Sequence, residues 1–271
     1  MAYHSDFAGA AFDIGNLSRG DTGQVADPEA AQDHRRLVIA FVGMAFEARI
    51  AAGPGVLVVC RSDREQLAAM AGSAVRQGYR GIISFGVAGG LADSLRPGDW
   101  VVASAVHESQ AVHKSQAIRE TDRPWSRKLL RAIDGAQYAP ILGVDNPVAE
   151  PAVKRELRRA TGAAACDMES HVVSRLAEAH GLAFAALRVI VDPAECVVPR
   201  AALASMGPDG RTDIPALLRD LVARPSQLVQ LARLALDALT ARTELQRVRN
   251  LLGPHFGLVD DLNEAAVTAY A

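Results

Sequence analysis

The feature that most constrains the fold is a set of short, unbroken apolar runs separated by segments of helical periodicity. The segments at 64–78 and 151–162 place apolar side chains at helical spacing and end at a glycine. The apolar runs are too short for helices and have the composition of strands buried on both faces. Strands alternating with helices predict the α/β class, with a mostly parallel mixed sheet flanked by helices. The five runs are 37–43, 56–60, 81–86, 100–106 and 182–191.

Composition divides the chain into four segments. Residues 1–34 are small and polar without periodicity, which predicts a disordered or loosely packed tail. Residues 35–200 contain the alternating pattern and are predicted to form one core. Residues 201–253 are predicted to be a helical extension packed on that core, with a long helix that ends near Leu252, and 254–271 to be a second tail.

Charge and cysteine content exclude several classes of function. With 29 basic and 31 acidic residues, the chain lacks the positive excess of a nucleic-acid-binding protein. No run reaches the roughly 18 apolar residues that a membrane-spanning helix needs. The three cysteines, Cys60, Cys166 and Cys196, have no C-x-x-C spacing, and the histidines are scattered, so we predict neither a disulfide framework nor a metal site. No signal peptide is evident, and a cytoplasmic location is expected.

Several polar and glycine residues directly follow predicted strands, where open α/β sheets bind their ligands. Gly43 and Glu47 follow the first run, Gly86–Gly90 the third, and Asp192 the last. Glycines allow a ligand to approach the backbone closely, although a tight turn is the alternative. Neither the dinucleotide pattern G-x-G-x-x-G nor a Walker loop is present.

Carboxylates at three positions are candidates for chemistry. Glu47 is placed to activate a nucleophile, or is an ordinary glutamate in the first turn of a helix. Glu169, in the segment CDMESHVV that Asp167 is predicted to cap, lies at the edge of a buried stripe that includes Met168. It can accept hydrogen bonds from a sugar diol, or is solvated. Asp192 precedes a proline, and partial burial would raise its pKa for proton donation, unless it only forms a turn.

In this order and spacing, the motifs resemble those of the purine nucleoside phosphorylases and methylthioadenosine/adenosylhomocysteine nucleosidases. The pattern GxAGGL…GDxVV matches Gly86–Val102, DMES matches Asp167–Ser170, and RxIxD matches Arg188–Asp192. The resemblance spans about residues 37–200. It implies a single nucleoside-phosphorylase-like domain that cleaves the N-glycosidic bond of a purine nucleoside.

A narrower resemblance, to the hopanoid-associated phosphorylases of bacteria, extends to about residue 253. It rests additionally on GMAFEARIAAGPGVLVVC and ASMGPDGRTDIPALLRDL. It implies conversion of adenosylhopane to adenine and a ribosyl or phosphoribosyl hopane. The segment RSDRE after Cys60 departs from the glycine-rich sequence expected there. The alternatives are a general nucleosidase for methylthioadenosine or adenosylhomocysteine, a purine nucleoside phosphorylase, and a non-catalytic nucleoside-binding module, which retention of Asp192 and Glu169 disfavours.

The family resemblance implies roles for individual residues. Asp192 would protonate or hydrogen-bond N7 of the departing purine, and Glu169 with Met168 would hold the ribose hydroxyls. Phe85 and Val87 would line the base pocket, and the backbone near Val87–Gly90 would face the sugar. The substrate-binding set is therefore predicted to be Asp167, Met168, Glu169, Phe85, Val87, Ala88 and Gly89.

The nucleophile is left open between phosphate and water. Related phosphorylases hold phosphate with arginines, but Ser84 stands at one of those positions, and Glu47 stands where nucleosidases have a water-activating glutamate. Gly43, Gly86 and Arg188 are the candidates for a phosphate or water site. No cofactor is expected, and inorganic phosphate is the one candidate co-substrate.

The predicted partner is a small-molecule or lipid-linked nucleoside. The resemblance also implies a homo-oligomer. The C-terminal helical stretch is apolar with interspersed arginines. It would either pack on the domain or another subunit, or contact the inner face of a membrane as a peripheral helix.

Overall fold

The protein was analysed as a computed structural model that describes residues 37–60, 67–108, 117–199, 202 and 228–258. The predicted tail at 1–34, most of the segment 201–227 and residues 259–271 lie outside this range. The strands are β1 Leu37–Val42, β2 Val56–Cys60, β3 Tyr79–Gly90, β4 Trp100–Glu108, β5 Ala117–Glu120, β6 Gln137–Gly143, β7 Ala165–Asp167 and β8 Ala183–Asp192. The helices are α1 Ala45–Ala51, α2 Leu67–Arg76, α3 Arg123–Ala132, α4 Pro151–Thr161, α5 Ser170–His180 and α6 Leu228–Leu252.

The strands form one mixed sheet, and five of them close into a ring. β1 lies between β2 and β3, and all three are parallel. β3 pairs with β8, β8 with β4, β4 with β6, β6 with β7, and β7 returns to the end of β3. Most of these pairings are parallel, and helices flank the sheet. The predicted fold class is therefore confirmed, including the C-terminal helix.

Two apolar clusters lie on opposite faces of the strands. In β1, Ile39 and Phe41 belong to one cluster, while Val38, Ala40 and Val42 belong to the other. Successive side chains of a strand point to opposite faces, so a strand covered on both sides is apolar at every position. This is the physical origin of the unbroken apolar runs in the sequence.

The glycine-rich segment after the third apolar run is strand rather than turn. Gly86–Gly90 continue β3, pairing with β8 along one edge and with β7 at Gly89 and Gly90. The alternative of a tight turn was wrong, because glycines also occur in strands where other backbone or side-chain groups approach closely. The extension carries β3 to the point where the ring of strands closes.

The C-terminal region is integrated into the core as far as Leu258. Phe256 and Leu258 are buried in the cluster that includes Trp125, and the Trp125 indole Nε1 donates to the Phe256 carbonyl oxygen at 2.8 Å. The Arg249 guanidinium lies 4.3 Å from the centre of the Phe256 ring. The prediction that a tail begins at residue 254 was therefore wrong for residues 254–258. An isolated aromatic residue in a polar stretch has no periodic pattern that would have indicated this packing.

No helix within the described ranges is long and apolar enough to cross a bilayer.

We expect Phe256→Ala to lower the free energy of unfolding by about 3–5 kcal/mol, because it removes a buried aromatic ring. Urea denaturation followed by circular dichroism measures this. The control is Leu239→Ala on the exposed side of α6, where we expect a change within about 0.5 kcal/mol. Equal effects of the two substitutions would contradict the packing described for the C-terminal residues.

Candidate active site

Closure of the ring of strands brings the separated sequence motifs together. β7 ends at Asp167 and pairs with the end of β3, while β8 runs beside β3 and ends at Asp192. α1 begins just after β1, at the same edge of the sheet. The glycine-rich end of β3 is consequently surrounded by Glu47, Glu169, Arg188 and Asp192. In the sequence, 145 positions separate the first of these residues from the last.

Glu47 is buried and held by backbone amides from two parts of the chain. Its Oε2 accepts from the amides of Gly43 at 2.9 Å and Met44 at 2.8 Å, and its Oε1 accepts from the Val87 amide at 2.8 Å. Burial raises the pKa of the carboxyl group, while Arg188 and the three amides act in the opposite direction. Glu47 thus joins the start of α1 to β3.

The glycines of this region leave space for charged side chains. A Cβ atom at Gly86 would lie 2.3 Å from Glu47 Oε1 and 2.8 Å from Arg188 Nη1. A Cβ atom at Gly43 would lie 2.7 Å from Glu169 Oε1. All three distances are shorter than van der Waals contact. Glycine is therefore required at these two positions because carboxylate and guanidinium groups lie directly against the backbone.

Arg188 is buried beneath the site and paired with carboxylates. Its Nε lies 2.7 Å from Asp167 Oδ2, and its Nη2 lies 3.6 Å from Glu169 Oε2. Nη2 also donates to the hydroxyls of Ser84 at 2.5 Å and Ser170 at 3.2 Å. Burial would lower the pKa of Arg188, but Asp167, Glu169 and Glu47 raise it overall. The guanidinium therefore remains charged.

Asp167 connects this guanidinium to the start of α5. Its Oδ1 accepts from the amides of Glu169 at 3.1 Å and Ser170 at 2.8 Å, although the N-cap residue of α5 is Glu169 and not Asp167 as predicted. Its Oδ2 faces Arg188 and the Ser170 hydroxyl. Both oxygens are used inside the protein, so Asp167 orients Arg188 and Glu169 and presents no free oxygen for the substrate contact predicted from the sequence.

Asp192 lies at the end of β8 over the glycine-rich strand and is paired with a buried lysine. A Cβ atom at Gly89 would be 3.1 Å from Asp192 Oδ2, and the Lys154 ammonium is 2.6 Å from the same oxygen. Burial raises the pKa of Asp192, and Lys154 opposes that increase. Sequence reasoning missed Lys154 because the helix it belongs to is rich in basic residues. The available signal was its position, three residues before Leu157, on the partly buried face of α4.

Three residues of the predicted substrate-binding set have side chains that pack in apolar clusters. The Phe85 ring is buried between Trp100, at a centroid distance of 6.4 Å, and Phe256, at 5.1 Å. The Val87 side chain packs against the same apolar cluster, and its contribution to the site is the amide bonded to Glu47. Ala88 belongs to the cluster on the other face. The side chains of Phe85 and Val87 therefore pack in the core and do not project from the strand as predicted, because both faces of β3 are covered. Ala88 was predicted to act through its backbone, and that prediction stays open.

The remaining members of the predicted set keep their positions near the site. Met168 is partly buried between Asp167 and Glu169, and Gly89 faces Asp192. Among the described residues, no group of three or more histidine, cysteine, aspartate or glutamate side chains is arranged to hold a metal ion. The roles of Met168 and Glu169 toward a sugar remain predictions.

A family comparison now identifies the class of protein. The model of the Phosphorylase superfamily matches residues 28–223 of the 271. The chain belongs to this superfamily. A search of curated proteins gives no significant match. Membership places the chain among the nucleosidase and phosphorylase enzymes, as predicted.

Solved structures share the fold at low sequence identity. The 5′-methylthioadenosine/S-adenosylhomocysteine nucleosidase of Neisseria meningitidis has a TM-score of 0.57 at 14% identity, covering 82% of this chain and all of that one. The futalosine hydrolase of Helicobacter pylori has a TM-score of 0.53 at 17% identity, covering 79% and 97%. The Campylobacter jejuni nucleosidase has a TM-score of 0.52 at 14% identity, covering 78% and 98%. These matches confirm the nucleoside-phosphorylase-like fold.

We expect Gly86→Ala to destabilise the protein by about 1–3 kcal/mol, because the added Cβ atom collides with Glu47 and Arg188. Gly72→Ala, inside α2, is the matched control: its nearest neighbour would be 3.6 Å away, and alanine favours the helix by up to about 1 kcal/mol. Thermal unfolding of both variants measures the difference. A Gly86→Ala protein as stable as the Gly72→Ala protein would contradict the close approach.

Proposed function

We propose that the chain is a hydrolase that uses water to cleave the N-glycosidic bond of a purine nucleoside. The observation that carries the proposal is the Glu47 carboxylate, which accepts hydrogen bonds from the amides of Gly43, Met44 and Val87. Converging backbone amides at a strand–helix junction are a typical anion site. Here a carboxylate of the chain itself occupies the position that a phosphate ion would need.

The surrounding charge also favours water over phosphate. Arg188, the guanidinium predicted as a phosphate contact, already faces Asp167, Glu169 and Glu47. A carboxylate has about four lone-pair positions, and the amide bonds use three of those on Glu47. The remaining position on Oε1 is suited to accept a proton from a water molecule. A phosphate dianion would instead meet repulsion from these carboxylates.

The proposed reaction includes two proton transfers, one to Glu47 and one from Asp192. Glu47 accepts a proton from water as the water oxygen forms a bond to C1′ of the sugar. The bond between C1′ and the purine nitrogen breaks, and its electron pair passes to the base. Asp192 donates a proton to N7 of the base, while Glu169 and Met168 hold the ribose hydroxyls. The products are the free purine and the sugar with a hydroxyl at C1′.

For the substrate, we propose the adenosyl group of adenosylhopane, a nucleoside on a lipid. The narrower sequence resemblance supports this choice, and so does the N-terminal half of α6, which exposes Leu228, Val229, Leu236 and Leu239. These apolar side chains are suited to a peripheral membrane contact. The C-terminal half of the same helix packs on the domain through Ala241, Leu245 and Val248. A homo-oligomer remains a prediction from the family resemblance.

The second candidate is a soluble adenosine derivative. Structures that share the fold include 5′-methylthioadenosine/S-adenosylhomocysteine nucleosidases and a futalosine hydrolase. The nucleosides in these names form the natural comparison panel for this chain.

Adenine release from detergent-solubilised adenosylhopane, with and without inorganic phosphate, tests the reaction. We expect release at the same rate under both conditions, with ribosylhopane as the second product. Release that requires phosphate and yields a phosphoribosyl product would replace water by phosphate as the nucleophile. Cleavage of methylthioadenosine but not of adenosylhopane would support a hydrolase and would reject the lipid substrate.

We expect Asp192→Asn and Glu47→Gln each to lower kcat by about 10²–10⁴-fold, because each removes a proton-transfer group. Asp93→Asn and Glu156→Gln, at exposed positions, are the matched controls and should leave kcat unchanged. Steady-state adenine release by variants of verified fold measures these effects. Near-normal turnover by either site variant would remove that residue from the mechanism.

The rate should depend on pH as a bell-shaped function. Glu47 must be ionised to accept a proton, and burial raises its pKa, so kcat/KM should fall with decreasing pH at values above the ordinary glutamate range of about 4.3. Asp192 must be protonated to act, so kcat/KM should fall again as pH rises through its pKa. Persistence of the acid-side decrease in the Glu47→Gln variant would contradict the assignment.

A further inference from the structure

Lys154 is a buried lysine that the proposed chemistry does not use. It lies in the first turn of α4 and is fully buried, whereas Arg155 and Arg158 of the same helix are exposed. Its ammonium lies 2.6 Å from Asp192 Oδ2 and 2.9 Å from the Pro193 carbonyl oxygen. It also contacts the carbonyl oxygens of Asp192 at 3.3 Å and Cys196 at 3.5 Å.

These contacts account for the presence of an ammonium group in the interior. Removing a charge from water carries a large desolvation penalty, which is offset only by a close counter-ion and by further hydrogen bonds. A lysine has three donor hydrogens, and here they face one carboxylate oxygen and several carbonyl oxygens. The contacts connect α4 to the segment that follows β8, so they fix the backbone of Asp192 as well as its side chain.

We propose that Lys154 is the positioning residue for Asp192, holding Oδ2 so that Oδ1 is presented to the departing purine. This inference rests on the proposed function of Asp192. Gly89 has no side chain that could restrict rotation of this carboxyl group, whose Oδ2 and Oδ1 lie 3.1 and 3.3 Å from where a Cβ atom of residue 89 would be. A general acid must be held within hydrogen-bond distance of the atom it protonates, so loss of this restraint lowers the rate of the chemical step.

The charge of Lys154 also sets the acid strength of Asp192. Asp237 of α6 also raises the pKa of this carboxyl. Of the nearby thiols, Cys166 of β7 interacts electrostatically with Asp192, and Cys196 with Lys154. Burial raises the pKa of Cys166 to about 12, so this thiol remains neutral. Lys154 is thus the cation that opposes burial at Asp192. Removing its charge should raise the pKa of Asp192.

Lys154→Met tests the role because methionine preserves the length and removes the charge. We expect kcat to fall by about 10–100-fold, part of the contribution of the acid itself, with KM little changed. Lys154→Arg, which retains the charge, should recover much of the rate. Arg155→Met, one residue further along α4 and exposed, is the matched control and should behave like the wild type.

The Asp192→Asn background separates a positioning role from a structural one. If Lys154 acts through Asp192, Lys154→Met should have almost no effect on the residual rate of the Asp192→Asn protein. The same fractional decrease in both backgrounds would overturn the proposal. Lys154→Gln provides the comparison if the methionine variant does not fold.

The pH dependence provides a second readout. In Lys154→Met, the basic limb of the kcat/KM profile should shift to higher pH, and a carbon-13 titration of the Asp192 carboxyl, assigned with Asp192→Asn, should show the same direction. Unchanged values in both would overturn the proposal. If the wild type cleaves no nucleoside, the proposed function fails, whereas the carbon-13 titration still decides whether Lys154 controls Asp192.

Discussion

A buried guanidinium group is the interaction on which the rest of the site depends. Arg188 extends from β8 to Asp167 at the end of β7 and to Ser84 on β3, so it connects three strands of the ring. A buried charge is tolerated only when its partners are correctly placed. Arg188 therefore requires the ring to close in this register, and closure in turn places Glu47 and Glu169 around it.

The glycine-rich end of β3 provides the space in which this network of charged side chains lies. Gly86 leaves space for Glu47 and Arg188, and Gly89 leaves space for Asp192. In most strands, side chains keep charged groups several ångströms from the backbone. Here the missing Cβ atoms allow carboxylates to contact the strand directly and to use its amides, as Glu47 does at Val87. One surface thus carries both the group proposed to activate water and the group proposed to protonate the base.

The two carboxyl groups assigned to proton transfer occupy different environments. Glu47 is held by neutral amides and one cation at a distance, while Asp192 is in direct contact with an ammonium. Burial raises the pKa of both groups, but the opposing influences differ in kind. Because burial raises the pKa of both groups, their proposed roles as base and acid rest on their positions in the site.

Much of the fold was accessible from local pattern. The five apolar runs mark strands, Gly162 adopts the left-handed conformation at the end of α4, and α6 ends at Leu252 as expected. β5, β6 and β7 were not predicted, since they are short or lack a long apolar run. Glu47 and Asp192 were selected because polar residues after buried strands meet at one edge of a sheet. Glu169 was selected at the edge of a helical stripe, and Arg188 followed from the family resemblance.

The sequence by itself determined the α/β class, the main strands and the polar residues at the ends of those strands. It could do so because a strand buried on both faces is apolar at every position. Only the tertiary structure decided which face Phe85 occupies, how Asp167 uses its oxygens, and that Lys154 reaches Asp192. Those outcomes depend on the closing of the ring and on contacts between residues distant in the chain. Local periodicity carries no information about such contacts, and a buried lysine within a basic helix has the same local sequence signal as an exposed one.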